Sequence, residues 1–585
     1  MTVSTESPDP ASAGWLRPAS ALLVLALGAA AVLPLIDAVG RIFGRFHVPG
    51  GSEYVQQLTL WIAFLGGLLA TWEGKHLTLS TTELFGEGRP RRIARLVSCT
   101  VAAAVTAVLS YASVGLVRAD REQGKLLPGG VPEWVSECVM PVALALMALV
   151  FAFRAAGSRR GRFGALAVVG IALAVVLNPG LAPQAGLLAW PIALGIVVAA
   201  LFGAPVFVAM GGIALLLFFK DGTPVSAVSA EVYRLISSPT LPAIPLLTAA
   251  GYILAEGGAS ARLVRFFRAL FGSTPGGLAV MVAAVCALFT TFTGGSGVTI
   301  IALGGLVYPM LRDDDYPEGF SLGLVTASGS LGLLFPPSLP VILYSVVAGV
   351  PAGDLYLAGL LPGLLLVVLV AAYGIRVGRR LKTQGKVPQR FSWREVLASA
   401  WLAKWELALP LVVIVLFASG RASMVEASAA ACVYAAIVEC FVMRDIHPTR
   451  QLPGVVLKAA SLMGAVLLLL SVAMGLTSYL VDAQIPAALL AYIKTHIGSK
   501  IVFLLILNVF LLVLGSVLEI YSAIIILAPL VAPMGRAFGI DPVHLGVIFL
   551  ANLELGFLFP PLGLNLFLSS SRFGKPLPQL YRHVI

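Results

Sequence analysis

The chain has 585 residues, 59% of them hydrophobic and only 11% charged, with a mean hydropathy of +0.96. That composition excludes a soluble globular domain and requires a polytopic helical membrane protein. The net charge of +11 does not mark a nucleic-acid binder, because the basic residues gather in short loops between apolar spans, as cytoplasmic loops do. Cys99, Cys138, Cys286, Cys432 and Cys440 form no CxxC or Cys/His pattern, so no disulfide framework or structural metal site is expected.

The first nineteen residues are polar and lack an apolar core, so no cleavable signal peptide is expected. Four apolar spans follow near residues 20–38, 54–72, 96–117 and 132–152 and read as one small four-helix module, 1–161. Lys75, Arg89, Arg91, Arg92 and Arg95 after the second span, and Arg154, Arg159, Arg160 and Arg162 after the fourth, belong in the cytoplasm by the positive-inside rule. Arg41, Arg45, Arg118, Arg121 and Lys125 then lie outside, which weakens the bias without reversing it. Trp15, Trp61, Trp72, Trp134 and Trp190 read mostly as interfacial anchors, and Glu73 with Lys75 as an interfacial ion pair serving stability or subunit contact.

A fifth span near 163–179, within a segment 162–184, returns the chain to the outside and reads as a helix joining two modules. The second module occupies 185–585. Spans near 186–203, 205–219 and 240–257 lead back inside to Arg262, Arg265 and Arg268. Two short arms, 276–291 and 298–311, flank FTGGSGVT; each is at the lower edge of the ~17–25 residues a crossing needs, so they form a re-entrant hairpin. A broken helix, 319–348, and a span, 357–378, land on Arg379, Arg380, Lys382, Lys386 and Arg390. Residues 391–404, with Trp393, Arg394, Trp401 and Lys404, read as an amphipathic surface helix. Spans near 406–418, 424–443 and 455–481 precede a second hairpin, 501–516 and 522–536, and a second broken helix, 543–570. With both termini inside, the parity comes to about fourteen crossings and two hairpins.

The two hairpin units are copies. LGLLFPPSLPVIL at 331–343 returns as LGFLFPPLGLNLF at 555–567, and LVYPM at 306–310 as LVAPM at 530–534; Leu331 and Leu555, like Leu306 and Leu530, are 224 positions apart. Proline has no N–H and clashes with the preceding turn, so each Pro-Pro pair breaks its helix. Broken helix at membrane depth is tolerated only where protein or a polar cavity satisfies the freed backbone. Counting crossings places the two units in opposite orientation, and such inverted repeats mark the binding centre of secondary transporters. The fold class expected is an all-α polytopic membrane protein, an inverted-repeat elevator-type transporter with two re-entrant hairpins and two broken helices, plus the N-terminal four-helix module.

AIPLLTAAGYILAEGG, PGGLAVMVAAVCALFTTFTGGSGVT, TASGSLGLLFPPSLPVILYSVVAGV, LAGLLPGLLL and NLELGFLFPPLGLNLF stand in the order found in the large membrane subunit of tripartite ATP-independent periplasmic (TRAP) transporters, which the chain closely resembles from about residue 201 onward. LTLWIAFLGGLLATWEGKHLTL at 58–79 is similar to the small membrane subunit. The resemblance implies a fused small-plus-large permease of a bacterial inner membrane, not an enzyme. It implies sodium-coupled import of organic acids, carboxylates above all, handed over by a periplasmic substrate-binding protein, with the large subunit's transport domain moving as an elevator. TGGSGVT at the first tip departs from the Ser- and Ala-rich string of many members.

On that resemblance, sodium is the coupling ion, with no organic cofactor, no other metal and no nucleic acid. Its ligands at the first site are expected among Thr293, Gly294, Gly295, Ser296 and Thr299, facing Ser328, Gly329, Ser330 and Gly332 before Pro336 and Pro337. At the second site Gly515, Ser516 and Ser522 face Asn552, Gly556, Pro560, Pro561 and Asn565. Ser296, Ser330 and Asn565 are the candidate substrate contacts, aided by half-helix N-termini that favour a carboxylate. Glu519 and Glu554 are acids at membrane depth, where an unpaired charge costs ~2.5–3.5 kcal/mol. Each either binds a cation, carries a proton, or caps a helix without titrating. Glu426 and Glu439, near span ends, read as structural.

The bland alternatives are a flexible GGSG turn and simple proline kinks. Two other functions fit a chain of this kind: a stand-alone ion-coupled carboxylate carrier or antiporter, and a non-transporting scaffold or receptor. The absence of a GxxxxGK[ST] string argues against self-powered ATP-driven transport. The resemblance favours a monomer of the fused chain in contact with membrane lipid; the particular acid, the sodium stoichiometry and the identity of the binding protein are not written in it.

Overall fold

The structure, a computed structural model, describes residues 16–42, 48–78, 89–156, 158–382, 391–418, 422–560 and 563–584. Trp15, Arg45, Lys386, Arg390 and Pro561 lie outside the described residues. The chain is an all-α polytopic membrane protein, relieved only by a small antiparallel ribbon pairing Leu126–Leu127 with Val131–Pro132 and an isolated bridge between Thr78 and Pro205 among the described residues. Eight described helices are long and apolar enough to cross a membrane, and two further pairs, Trp393–Leu402 with Lys404–Leu416 and Ile485–His496 with Lys500–Gly515, are bent by 66° and 119°. Fewer helices qualify than the crossings counted from sequence, because several apolar elements, among them Leu339–Ala348 and Pro542–Gly556, are half-length pieces on either side of a break.

Contacts divide the chain into two compact units, Met1–Pro245 with Val456–Leu489, and Leu246–Val455 with Leu490–Ile585. The first unit contains the four-helix module, the helices Arg159–Val176, Ala182–Leu201, Val206–Lys220 and Ser226–Ile236, and the helix Leu452–Asp482 from Val456 onward. Close backbone approach explains why the GG pair of the LTLWIAFLGG string must stay small. A Cβ added at Gly66 would sit 2.3 Å from the Ala460 carbonyl oxygen, and one at Gly464 2.3 Å from Gly66. Two turns on from Gly66, Glu73 pairs with Lys75 at 3.0 Å and accepts a hydrogen bond from Ser461 at 2.9 Å, so the acid predicted to sit at an interface joins the helices Gly51–Glu73 and Leu452–Asp482. Arg154 donates to the last carbonyls of Gly51–Glu73, at Thr71 (2.7 Å) and Trp72, as a cation at a helix C-terminus should. Of the tryptophans, Trp190 is 85% exposed and suits an anchor, whereas Trp61 donates to Ser136 at 3.0 Å inside the unit.

The second unit carries both hairpins and both broken helices. The first hairpin is Gly277–Thr293 and Ser296–Asp313; the first broken helix is Glu318–Ser328 and Leu339–Ala348. The second hairpin is Lys500–Gly515 and Ile520–Ala537; the second broken helix is Pro542–Gly556 and Leu564–Phe573. The arms Ser296–Asp313 and Ile520–Ala537 begin and end 224 positions apart, the offset of the duplicated strings. Met281, Val282, Phe289, Leu303, Val307 and Leu324 form the core under the first hairpin. Leu322, Leu566 and Leu580 tie the two broken helices to the C-terminal helix Leu577–Val584.

Four further helices were not foreseen as separate elements: Ser226–Ile236, Ala259–Phe271, Ile485–His496 and Leu577–Val584. One of them carries the best-paired cation of the second unit. Arg262 bonds Glu406, Asp445 and, at 2.7 Å, Glu439 of the π-turn Val438–Val442. Burial works against the charge on Arg262, and the three carboxylates outweigh it and push its pKa up. Glu426, as expected of a structural acid, closes a capping box with Ser423. Trp393–Leu402 exposes Trp393 (66%) and Trp401 (70%), with the Lys404 ammonium 3.4 Å from the Trp401 ring centre, consistent with the amphipathic reading of 391–404.

Candidate functional site

The first hairpin turns in two residues. Gly294 closes Gly277–Thr293 with φ 69°, a left-handed conformation that costs glycine nothing, and donates to the Thr290 carbonyl at 3.0 Å. Extended Gly295 then starts Ser296–Asp313 with no side-chain cap. Thr290, Thr293 and Thr299 are 0–2% exposed and their hydroxyls cluster: Thr290 to Thr299 2.8 Å, Thr293 to Thr299 3.2 Å. Thr290 also donates to the Gly329 carbonyl of the first broken helix at 2.9 Å, and Thr293 reaches the Gly295 carbonyl at 3.4 Å. The result is a buried knot of hydroxyl and carbonyl oxygens without a formal charge.

The helix opposite unwinds earlier than the prolines suggested. Glu318–Ser328 ends at Gly329, and residues 329–338 run as linked turns, with Leu333 donating to Ser330 (3.0 Å), Phe335 to Gly332 (3.2 Å) and Ser338 to Phe335 (2.9 Å). Pro336 and Pro337 lie near the end of that stretch. They prevent helix from resuming before Leu339, rather than opening the break themselves. Gly332 lies flat against the hairpin arm: a Cβ there would stand 2.2 Å from the Ala287 carbonyl oxygen and 2.7 Å from the Thr290 side chain. Of the predicted hydroxyls, Ser330 donates back to Ala327 at 3.3 Å, Ser296 is 3% exposed, and Ser328 is fully buried with no partner for its Oγ among the described residues.

The second tip spans residues 516–519 and is built differently. Gly515 and Gly556 bring two backbones together, a Cβ at Gly556 being placed 2.8 Å from the Gly515 Cα. Gly563, after the second break, donates to the Ser516 carbonyl at 2.8 Å, while the Ser516 hydroxyl turns back to Val513 (2.7 Å). Glu519 caps Ile520–Ala537, accepting from the amides of Tyr521 (3.0 Å) and Ser522 (3.4 Å). Ser522 is 2% exposed. Asn552 faces Asn508, at 2.6 Å, along the hairpin arm rather than at the tip. Pro560 ends the described part of the second break. Glu554 is 3% exposed and neither of its carboxyl oxygens has a partner among the described residues.

The repeats are cross-linked through Asn565 and through two groups that sequence reasoning did not single out, Tyr521 and Thr326. Tyr521 donates to the Gly294 carbonyl at 2.6 Å, joining the tips. Asn565, expected beside the second tip, instead donates to the Thr326 carbonyl in the first broken helix at 3.2 Å, with its Oδ1 buried and without a partner among the described residues. Thr326 in turn donates to Ser569 at 2.8 Å. Thr290 was legible in principle, since it stands three residues before Thr293 on one helix face. Tyr521 and Thr326 carried no such signal, because their partners are over two hundred positions away.

Three half-helix N-termini here, those of Ser296–Asp313, Leu339–Ala348 and Leu564–Phe573, have no side-chain cap, whereas Ile520–Ala537 has an acidic one. Uncapped first turns present amide N–H groups and partial positive charge, a setting for an anion. Hydroxyl and carbonyl oxygens suit a hard cation. Among the described residues no group of three His, Cys, Asp or Glu is placed to hold a metal ion.

Comparison with known proteins gives the family. Residues 193–585 match the family model of the DctM component of tripartite ATP-independent periplasmic transporters, and residues 30–161 that of the DctQ component. The isethionate TRAP transporter permease protein DctMQ of Oleidesulfovibrio alaskensis is 28% identical over 592 residues, covering 98% of this chain and 92% of that protein. The C4-dicarboxylate TRAP transporter large permease protein DctM of Pseudomonas aeruginosa is 36% identical over 63% of this chain and 85% of its own length. The ectoine TRAP transporter large permease protein TeaC of Halomonas elongata is 29% identical over 64% and 88%. With a DctQ and a DctM component in one polypeptide, the chain belongs to the TRAP transporter permeases, a family of multi-span membrane transporters.

Proposed function

We propose that this permease imports a small organic anion delivered by a periplasmic substrate-binding protein, driven by sodium. The observation that carries the reading is the knot of Thr290, Thr293 and Thr299 hydroxyls with the Gly295 and Gly329 carbonyls at the first tip. A monovalent cation entering there gains oxygen ligands without displacing a charged side chain. Around the second tip, Ser516, Ser522 and the backbone at Gly515 and Gly556 supply a second, smaller set of oxygens. The substrate carboxylate, or the sulfonate of a compound such as isethionate, would take the uncapped N-termini at Ser296, Leu339 and Leu564, with Ser296, Ser328, Ser330 and the free Oδ1 of Asn565 as side-chain contacts. Relatives named for isethionate, C4-dicarboxylates and ectoine support a small organic substrate bearing an acidic group.

In this reading 1–161 is the small-subunit module, 162–184 the joining helix and linker, and 185–585 the transporter module. The termini are cytoplasmic in a bacterial inner membrane, and the two hairpin units are inverted copies. The chain works as a monomer, and the unit that holds both hairpins is the moving body of an elevator. The division of the chain into two compact units, with every cross-repeat hydrogen bond named above inside the second, supports that assignment. The test is uptake of radiolabelled organic acids into proteoliposomes holding the purified chain, with and without an inward sodium gradient and the binding protein. Uptake that requires both establishes the function. Uptake indifferent to the binding protein overturns the tripartite part and leaves a stand-alone carrier; no uptake under any condition favours a scaffold.

A further inference from the structure

A cavity of about 350 Å³ lies within the second unit against the first break. Its walls include the rings of Pro336 and Pro337, with Leu247, Ile342, Val413 and Met424. That volume falls within the range of ~300–1,000 Å³ typical of small-ligand sites. Its lining tells against the transported anion. Among the described residues only two side-chain hydroxyls reach it, and both are already used: Tyr356 donates to the Ser338 carbonyl at 2.8 Å and Ser428 to the Met424 carbonyl at 2.7 Å. No described lining residue carries a charge, so a carboxylate packed against this wall would be stripped of water with nothing there to replace it.

The rim indicates what does enter. Leu357, on the cavity wall, is 72% exposed, and Leu361, Leu364, Leu365, Val368 and Leu369 continue the same helix, Ala352–Lys382, at 52–78% exposure. On the facing helix, Lys404–Ala418, the lining residue Ile414 is 38% exposed and its neighbours Leu411 and Val415 are each 63% exposed. Apolar side chains exposed along a membrane-spanning helix face hydrocarbon. The cavity is therefore continuous with the lipid-facing surface of the protein.

We propose that a phospholipid acyl chain enters this cavity laterally and packs on the Pro336–Pro337 wall, so that bilayer lipid forms part of the support of the first broken helix. An apolar cavity of this size has no polar partners with which to hold ordered water, and an acyl chain restores the dispersion contacts its lining would otherwise lack.

The experiment uses the full chain in liposomes doped with a phosphatidylcholine carrying a diazirine near the end of one acyl chain. After irradiation, adducts are mapped by peptide mass spectrometry in the parent and in two cavity-filling variants, Val413→Trp and Met424→Phe, each first checked for a parent-like melting transition. The expected result is adducts on the inner wall, at Leu247, Ile342 and Met424, that are lost in whichever variant folds, while adducts on rim residue Leu357 persist. Excess organic acid should leave the pattern unchanged. Adducts confined to Leu357 and Leu361, inner-wall adducts undiminished in a folded variant, or displacement of the lipid by the organic acid would each overturn the proposal. None of these readouts depends on sodium coupling or on the binding protein.

Discussion

The two hairpin tips descend from one sequence pattern and have reached different chemistries. At the first, a two-residue turn lets Thr290, Thr293 and Thr299 pool their hydroxyls with the Gly329 carbonyl, and close contact is made by Gly332 lying on the opposite arm. At the second, the turn is longer, the contact is backbone on backbone at Gly515 and Gly556, and the N–H groups that stay open at Ser296 are capped by Glu519. Repeating a helix break thus preserves the opening of the backbone but not the ligand set, because each side chain answers to its own local turn. The first tip offers hydroxyl and carbonyl oxygens to a cation; the second already has a carboxyl group seated on its helix N-terminus.

Substitutions can break this contrast or sharpen it. The largest effect is expected from Gly332→Val, which must move the Ala287 carbonyl and Thr290 together. Overpacking of this sort costs ~1–3 kcal/mol or more, and the melting temperature in detergent should fall sharply, with Gly556→Val doing the same at the second tip. A melting temperature unchanged in either variant would mean that the break does not pack as described.

Thr299→Val keeps the shape at the first tip but removes the hydroxyl that Thr290 and Thr293 share. If the knot binds sodium, losing one ligand worth ~1.4 kcal/mol raises the sodium concentration for half-maximal uptake about tenfold. Ser522→Ala at the second tip should raise it less, and equal shifts would erase the proposed difference between the tips.

Glu519→Ala removes a cap from two amides and should lower stability by ~0.5–2 kcal/mol, measured by thermal unfolding. Glu519→Gln, which retains an acceptor, should recover part of that loss and keep the sodium dependence. Abolished sodium dependence in a stable Gln variant would instead make Glu519 an ion ligand. The smallest effect is expected from Tyr521→Phe. It deletes one hydrogen bond between the tips, worth ~0.5–1.5 kcal/mol, so unfolding should shift slightly while uptake slows only if the tips move as one piece.

Much of the architecture was legible because apolar span length, basic loops and the Pro-Pro strings each report on a local property of the chain. The hairpin arms expected at 298–311 and 522–536 appear as Ser296–Asp313 and Ile520–Ala537. The amphipathic segment near 391–404 appears as Trp393–Leu402, bent from its neighbour by 66°. Elements of mixed polarity escaped notice: Ala259–Phe271 reads from sequence as a basic loop, yet it is the helix that aims Arg262 at three carboxylates. Within the site, Thr293 and Thr299 come together while Gly329 is reached through Thr290, which the sequence reading did not include; Asn565 crosses to Thr326 and Asn552 pairs with Asn508.

What the amino-acid sequence settles about this chain is therefore what depends on neighbours in sequence: membrane residence, the duplication, the positions at which helix must stop, and family membership through strings such as LGLLFPPSLPVIL. What only the folded chain decides is which distant groups share a space. Leu452–Asp482 joins the small module through Gly464 and Ser461 although it is far along the other component, and Tyr521 closes on Gly294 across 227 positions. The physical reason is that a helix break frees backbone groups locally, but which partner satisfies them is chosen by packing between elements whose separation in sequence carries no information about their distance in space.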